Sequence, residues 1–141
     1  MEPKKDEEFI KDLLKKGEGS LLEFKKEITN LPKIAKTLVA FSNTDGGRLL
    51  IGVDDKGLIT GIDPDEENYM LEKANIELCV PPALISVDVF EMSHPEDVEE
   101  EGPVVLVVNV AKSHQNHFFR EKDGRLTPYI RIADQNLPEK Q

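Results

Sequence analysis

Hydrophobic positions along the chain fall into two periods, and the switches between them mark out its elements. Between residues 6 and 16, Phe9, Ile10, Leu13 and Leu14 share one helical stripe, acids open the segment, Lys15-Lys16 close it and Gly17 can stop it. Residues 20–26 alternate as a strand, which puts Leu22 and Phe24 on a core face and Leu21, Glu23 and Lys25 on the other. Asn30 can cap a second helix with Pro32 in its first turn; Leu31, Ile34, Ala35, Leu38 and Ser42 form its apolar face, with Lys33 and Lys36 on another. SNTDGG ends that helix. Leu49, Leu50, Ile51 and Val53 then run continuously apolar, the pattern of a strand covered on both faces. The Asp54-Asp55-Lys56-Gly57 turn predicts an antiparallel return over Leu58–Ile62.

Pro64 opens a third predicted helix reaching Leu78, with Tyr69, Leu71, Ala74, Ile76 and Leu78 as its apolar members and Pro81-Pro82 beyond its end. Ala83–Met92 and Pro103–Val110 read as strands, joined by the charged segment 93–102, which is expected to be mobile. Phe118–Arg120 and Tyr129–Ala133 read as short strands about the Lys122-Asp123-Gly124 turn. The expected layout is an N-terminal helix over 1–16, a domain over 17–134 and a frayed polar tail over 135–141. The fold class is α+β: a mixed, largely antiparallel sheet with helices packed on it.

Composition narrows the function classes. A chain of 141 residues can bury about two-thirds of its unfolded surface in one core. No apolar run approaches the roughly 20 residues of a membrane span, and the charged N-terminus lacks the apolar stretch of a signal peptide, so a cytoplasmic protein without membrane partners is expected. Cys79 is the only cysteine and sits in an apolar context, which predicts a buried, unreactive thiol. The net charge of −10 argues against a polyanionic partner until its distribution is considered. Residues 61–101 hold 13 of the 28 acids and only one base, Lys73, which leaves the rest of the chain near neutral with local basic clusters. That acidic block is itself a candidate face for a basic protein partner.

Two constellations carry candidate chemistry. Glu18, Glu23 and Asp55 would converge if their strands are neighbours. Converging carboxylates repel and need a shared proton or a hard cation such as Mg²⁺ or Mn²⁺, which could hold a phosphate and activate water. The same residues also suit a simpler role, with Glu23 paired to Lys25 on an exposed face and Asp54-Asp55 serving the turn. The second constellation is basic: Lys25, Lys26, Lys33, Lys36 and Arg48, with Arg120, Arg125 and Arg131 in the C-terminal hairpin and Tyr129 on the same side of its strand as Arg131. Such residues neutralise phosphates when they cluster and are solvated surface when they do not. His114 and His117 make a weak zinc signal and read as a polar loop, His117 being able to meet phosphate if protonated. With no tryptophan and few aromatics, extended base stacking is limited. Neither GEGSLLEFK nor DGGRLLIG satisfies a phosphate-loop pattern, so ATP binding is not supported.

The order Glu18…Glu23-Phe24-Lys25, an amphipathic helix, Gly46-Gly47 and Gly52-Val53-Asp54-Asp55 resembles the AlbA_2 domain of Schlafen proteins, and Tyr129-Ile130-Arg131 resembles the segment near that domain's C-terminal end. The resemblance implies a Schlafen-core-like single lobe that binds DNA or RNA, in the setting of transcriptional regulation. No cofactor would be needed for binding. Schlafen nucleases carry an acidic triad onto which Glu18, Glu23 and Asp55 map, so the resemblance also implies a metal-dependent endoribonuclease as an alternative, using Mg²⁺ or Mn²⁺. Here Gly19 displaces Ser20 by one position from the usual Glu-Ser pair. Schlafen cores pair two such lobes about a basic groove, which by analogy makes a homodimer the expected assembly.

Overall fold

The computed structural model describes residues 2–93 and 101–140. Helix α1 (Glu7–Lys16) starts where the Asp6 carboxylate accepts the Phe9 amide, 3.2 Å away. Strand β1 (Leu22–Lys25) leads to helix α2 (Leu31–Asn43), capped by the Asn30 side chain on Lys33 N, and then to β2 (Gly47–Ile51). Helix α3 (Pro64–Leu78) is capped by Asp63. After it come β3 (Cys79–Val80), β4 (Ile85–Glu91), β5 (Val104–Val110), β6 (Phe118–Arg120), β7 (Leu126–Thr127), β8 (Tyr129–Ile132) and β9 (Gln135–Pro138). No described helix is long and apolar enough to cross a membrane.

The main sheet has the order β1-β2-β5-β4, with β1 and β2 parallel and the other pairs antiparallel. Its two faces are separately covered. Ile34, Leu38 and Phe41 of α2 and Leu71 and Ala74 of α3 cluster with Leu49, Ile51, Leu106 and Val108. On the other face, Ile10 and Leu13 of α1 cluster with Leu22, Phe24, Leu50, Val105 and Val107. Double coverage explains the unbroken apolar runs in β2 and β5, since every alternate residue meets a helix. Between α2 and β2 the chain turns at Gly46, whose φ of 73° suits glycine and where a Cβ would stand 2.7 Å from Val110 O. A three-stranded sheet, β3-β6-β7, and the β8–β9 hairpin complete the fold.

Three expectations need correction, and one falls outside the described residues. Leu58–Ile62 is not a strand: it makes one bridge, Val53 to Ile59, and then Thr60 N and Gly61 N both donate to Gly52 O, which curls the chain off the ladder. Tyr69 and Ile76 are exposed, because α3 buries the stripe Glu67, Leu71, Ala74, Asn75 instead. Its polar members are satisfied: Asn75 exchanges bonds with Ala83 N and O, and Glu67 accepts from Ile28 N at 2.9 Å. The C-terminal tail is not frayed up to Pro138, since β9 pairs with β8 along its whole length. Most of the expected mobile segment 93–102 lies outside the described residues.

Burial raises the pKa of Glu67, and the nearby carboxylates of Glu27, Glu66 and Asp63 add to this against the Ile28 amide. The proton is therefore held more tightly in the folded chain than in the unfolded one. That contribution to stability is full below the ordinary carboxylate range and is lost as pH rises through the raised value. Glu67→Gln keeps an acceptor for Ile28 N and removes the charge. It should match wild type in acid and exceed it at neutral pH, by a few degrees in thermal midpoint. Melts at pH 4 and pH 7.5 check the sign (values chosen to bracket the ordinary carboxylate pKa of about 4.3).

Candidate nucleic-acid interface

The β1–α2 crossover sets out the site. Glu23 lies opposite Leu49 in the β1–β2 register and therefore turns toward α2, not toward solvent. It is buried, as is Arg131 of β8. Arg131 Nη1 donates to Glu23 Oε1 at 2.7 Å and to Asn136 Oδ1 at 2.8 Å. Its Nε and Nη2 donate to Gly19 O at 3.2 and 2.8 Å, and Nη2 also reaches Leu22 O. Glu23 Oε2 accepts from Thr37 Oγ1 at 3.1 Å, and Lys25 Nζ stands 3.9 Å from it. Asn136 of β9 donates to Thr37 Oγ1, which closes the network.

Above this network opens a cleft of about 370 Å³ whose walls include Lys25, Lys33 and Lys36. A depression of about 220 Å³ between Lys25, Glu27 and Lys33 adjoins it. Lys36 also faces the other way: its ammonium lies 5.1 Å from the Phe119 ring centre and 5.4 Å from that of Tyr129. There it borders a second cleft, of about 570 Å³, rimmed by Arg120, Lys122 and Arg125. Among the described residues the only carboxylate lining the first cleft is Glu23, which Arg131 neutralises, so the three lysines leave the cleft with a positive excess.

The structure gathers only part of the expected basic set. Lys25, Lys36 and Arg120 fall on this band together with Lys33, and Lys26 is exposed just past β1. Arg48 does not join it. It lies over the Phe9 ring, 5.3 Å from the centre, and bonds Asn109, on the α1 side of the sheet. Arg131 has no exposed guanidinium to offer a phosphate; it is the buried counter-ion that keeps Glu23 in place. His117 is likewise buried, its Nδ1 donating to Pro81 O at 2.7 Å and its Nε2 bonded to Ser113 Oγ at 2.8 Å.

The acidic triad does not assemble. Glu18 is exposed and its Oε1 accepts from Phe24 N at 2.8 Å. Asp54, not Asp55, organises the turn, accepting from Lys56 N and Leu58 N. Asp55 is exposed beyond the end of β2, while Glu23 faces α2 from mid-strand. Among the described residues, no three Asp, Glu, His or Cys side chains are grouped to hold a metal ion. The donor set also misfits Mg²⁺ or Mn²⁺, because the Glu23 oxygens already face Arg131 and Lys25 and a further cation there would be repelled. Glu23 is thus paired chiefly with Arg131 in the interior, not with Lys25 on an exposed face. Cys79 fits its expected structural role: Sγ lies 3.5 Å from Ala35 O, and burial pushes the thiol pKa up to about 12.

The described part of the acidic segment 61–101 spans more than one element. It supplies α3, which packs on α2, and β4, an edge strand of the main sheet. Glu99 and Glu100 lie outside the described residues. Sequence reading also missed three polar residues that hold the site together. Asn43 and Thr44 looked like turn residues. Yet Asn43 Nδ2 donates to His117 O and Tyr129 O, its Oδ1 accepts from His117 N, and Thr44 Oγ1 accepts from Arg131 N. Asn136 lay in the supposed tail. The available signal was chemical: hydrogen-bonding side chains concentrated at a helix end with no apolar partners nearby.

Residues 18–140 match the family model described as Schlafen, AlbA_2. Among solved structures, the chain is similar to that of the DIP2311 protein from Corynebacterium diphtheriae, with a TM-score of 0.52 and 20% identity. The match covers 85% of this chain and 22% of that one, so this chain spans about a fifth of the other's length, and the likeness bears on fold alone.

Proposed function

This chain belongs to the Schlafen AlbA_2 family, and on that premise we propose that it is a nucleic-acid-binding module whose contact surface is the band Lys25, Lys33, Lys36 and Arg120. One observation carries the reading. In a protein of net charge −10, three lysines wall a cleft whose only carboxylate among the described residues is already neutralised by Arg131. A chain of phosphates following that cleft would meet its three lysines and the side-chain amide of Gln135, with Glu27 to one side in the adjoining depression.

The cations are few, so binding is weak and falls with salt along a shallow slope. The slope of log K against log salt should be about −0.7 per phosphate contact on single strands and about −0.9 on duplex DNA. Replacing Lys25, Lys33 and Lys36 together by Gln should lower affinity about tenfold or more at low salt and flatten the slope by about 2 on single strands. Arg48→Gln, on the opposite face of the sheet, should leave both unchanged. Fluorescence anisotropy with labelled DNA and RNA measures each quantity. Absence of binding to either at low salt defeats the proposal; an effect of Arg48→Gln equal to that of the triple variant moves the surface to the α1 face.

A further inference from the structure

The second cleft differs in kind from the first. Its floor is mainly apolar, made by Pro32 at the start of α2, Leu78 at the end of α3 and the largely buried Phe119 on β6, over whose ring the Lys36 ammonium lies. Its rim carries Arg120, Lys122 and Arg125 together with two carboxylates, Glu121 and Asp123. Arg125 Nε is bonded to Asp123 Oδ2 at 2.7 Å, and Glu121 Oε1 accepts from Thr127 Oγ1 at 3.0 Å. Carboxylates beside an apolar floor make a poor seat for phosphate. They suit a flat, uncharged ring whose amino hydrogens they can accept. The volume of about 570 Å³ is within the range of small-ligand sites. Lys36 lines both clefts, so a phosphate on Lys36 would belong to a nucleotide whose base reaches this floor and whose neighbouring phosphates continue toward Lys33 and Lys25.

From this arrangement we infer that the cleft between α2, α3 and the β6–β7 hairpin holds one unpaired nucleobase, so that the module selects single-stranded or looped nucleic acid over duplex. A base inside a helix is stacked on both faces and cannot enter a recess without being extruded, at a cost of a few kcal/mol. An unpaired base arrives with its faces free. The inference rests on the nucleic-acid reading above and sharpens it.

Its test separates the two. The unmodified chain is titrated at low salt with a labelled 12-nucleotide mixed-sequence strand, the same strand with abasic spacers at alternate positions, and a blunt duplex, each as DNA and as RNA. The abasic strand keeps its phosphates and loses bases. The intact strand should bind about fivefold or more tighter than the abasic one, as expected when a base gains an apolar stacking surface. The duplex should bind no better than the abasic strand. Amide chemical-shift changes at Leu78 and Phe119–Arg125 should accompany the intact strand and be absent with the abasic one. Equal affinity for intact and abasic strands overturns the base site and leaves the phosphate-binding surface standing. Duplex binding as tight as the intact strand, or base-dependent shifts confined to other residues, overturns it as well. If none of the strands binds, both readings fail together.

Discussion

Replacing Arg131 by Met is expected to cost about 3–5 kcal/mol of folding stability, a large share of the roughly 5–15 kcal/mol available to a domain. The guanidinium lies in the interior and supplies donors to Glu23, Asn136, Gly19 O and Leu22 O at once. Without it, Glu23 is left as a buried carboxylate with Thr37 and a distant Lys25 for company. Arg131→Lys should rescue little, because one ammonium cannot reproduce the planar fork that serves two directions. The discriminating variant is the double replacement Glu23→Leu with Arg131→Met. Removing both charges abolishes the desolvation problem, so the double variant should recover at least half of the loss. Urea unfolding followed by circular dichroism gives all three values. A single-variant loss within about 1 kcal/mol would place this pair with ordinary surface ion pairs.

Asn43→Ala should cost about 2–4 kcal/mol, because one side chain closes three hydrogen bonds to the backbone of two other segments. The damage should be local before it is global. Amides from His117 to Arg131 should lose protection from hydrogen exchange, while those of β2 and β5 keep theirs. Asn43→Asp is the sharper probe. It retains the acceptor for His117 N but sets a carboxylate against the carbonyl oxygens of His117 and Tyr129 in place of a donor. It should be at least as destabilising as Ala, although it is nearly isosteric. A mild Asp variant would mean that the two donated bonds carry little of the energy.

Much of the scaffold was readable because local chemistry and burial agreed there. Asn30, Pro32 and Pro64 each stand where a helix begins, and the apolar run of β2 announced a strand covered on both faces. The reading failed where a polar residue was buried by a partner far away in sequence. Glu23 has the correct strand alternation, yet nothing local says that the face opposite Leu22 and Phe24 is also interior, because its covering partner is an arginine more than a hundred residues on. Tyr69 and Ile76 were assigned inward on hydrophobicity alone. The true stripe of α3 includes Glu67 and Asn75, which are buried because each finds a backbone partner. The basic cluster was half legible for the same reason: exposed lysines on one crossover could be grouped by spacing, whereas the face occupied by Arg48 depends on where α1 packs.

The separation between Glu23 and Arg131, 108 positions, has a consequence for how the protein comes into being. A chain made from its N-terminus releases β1, α2 and β2 long before β8 exists. Until then the carboxylate destined for the interior has no counter-ion, and the α2 side of β1 resists closure. The lysine-walled cleft is therefore an end product of synthesis and not an early intermediate. Long-range closure of this type slows folding, the logarithm of the rate falling as relative contact order rises. During that interval the exposed strands are available to chaperones and to one another. A ribosome-stalled series should show protease resistance appearing in a single step, only once residue 131 and the strand after it have cleared the exit tunnel.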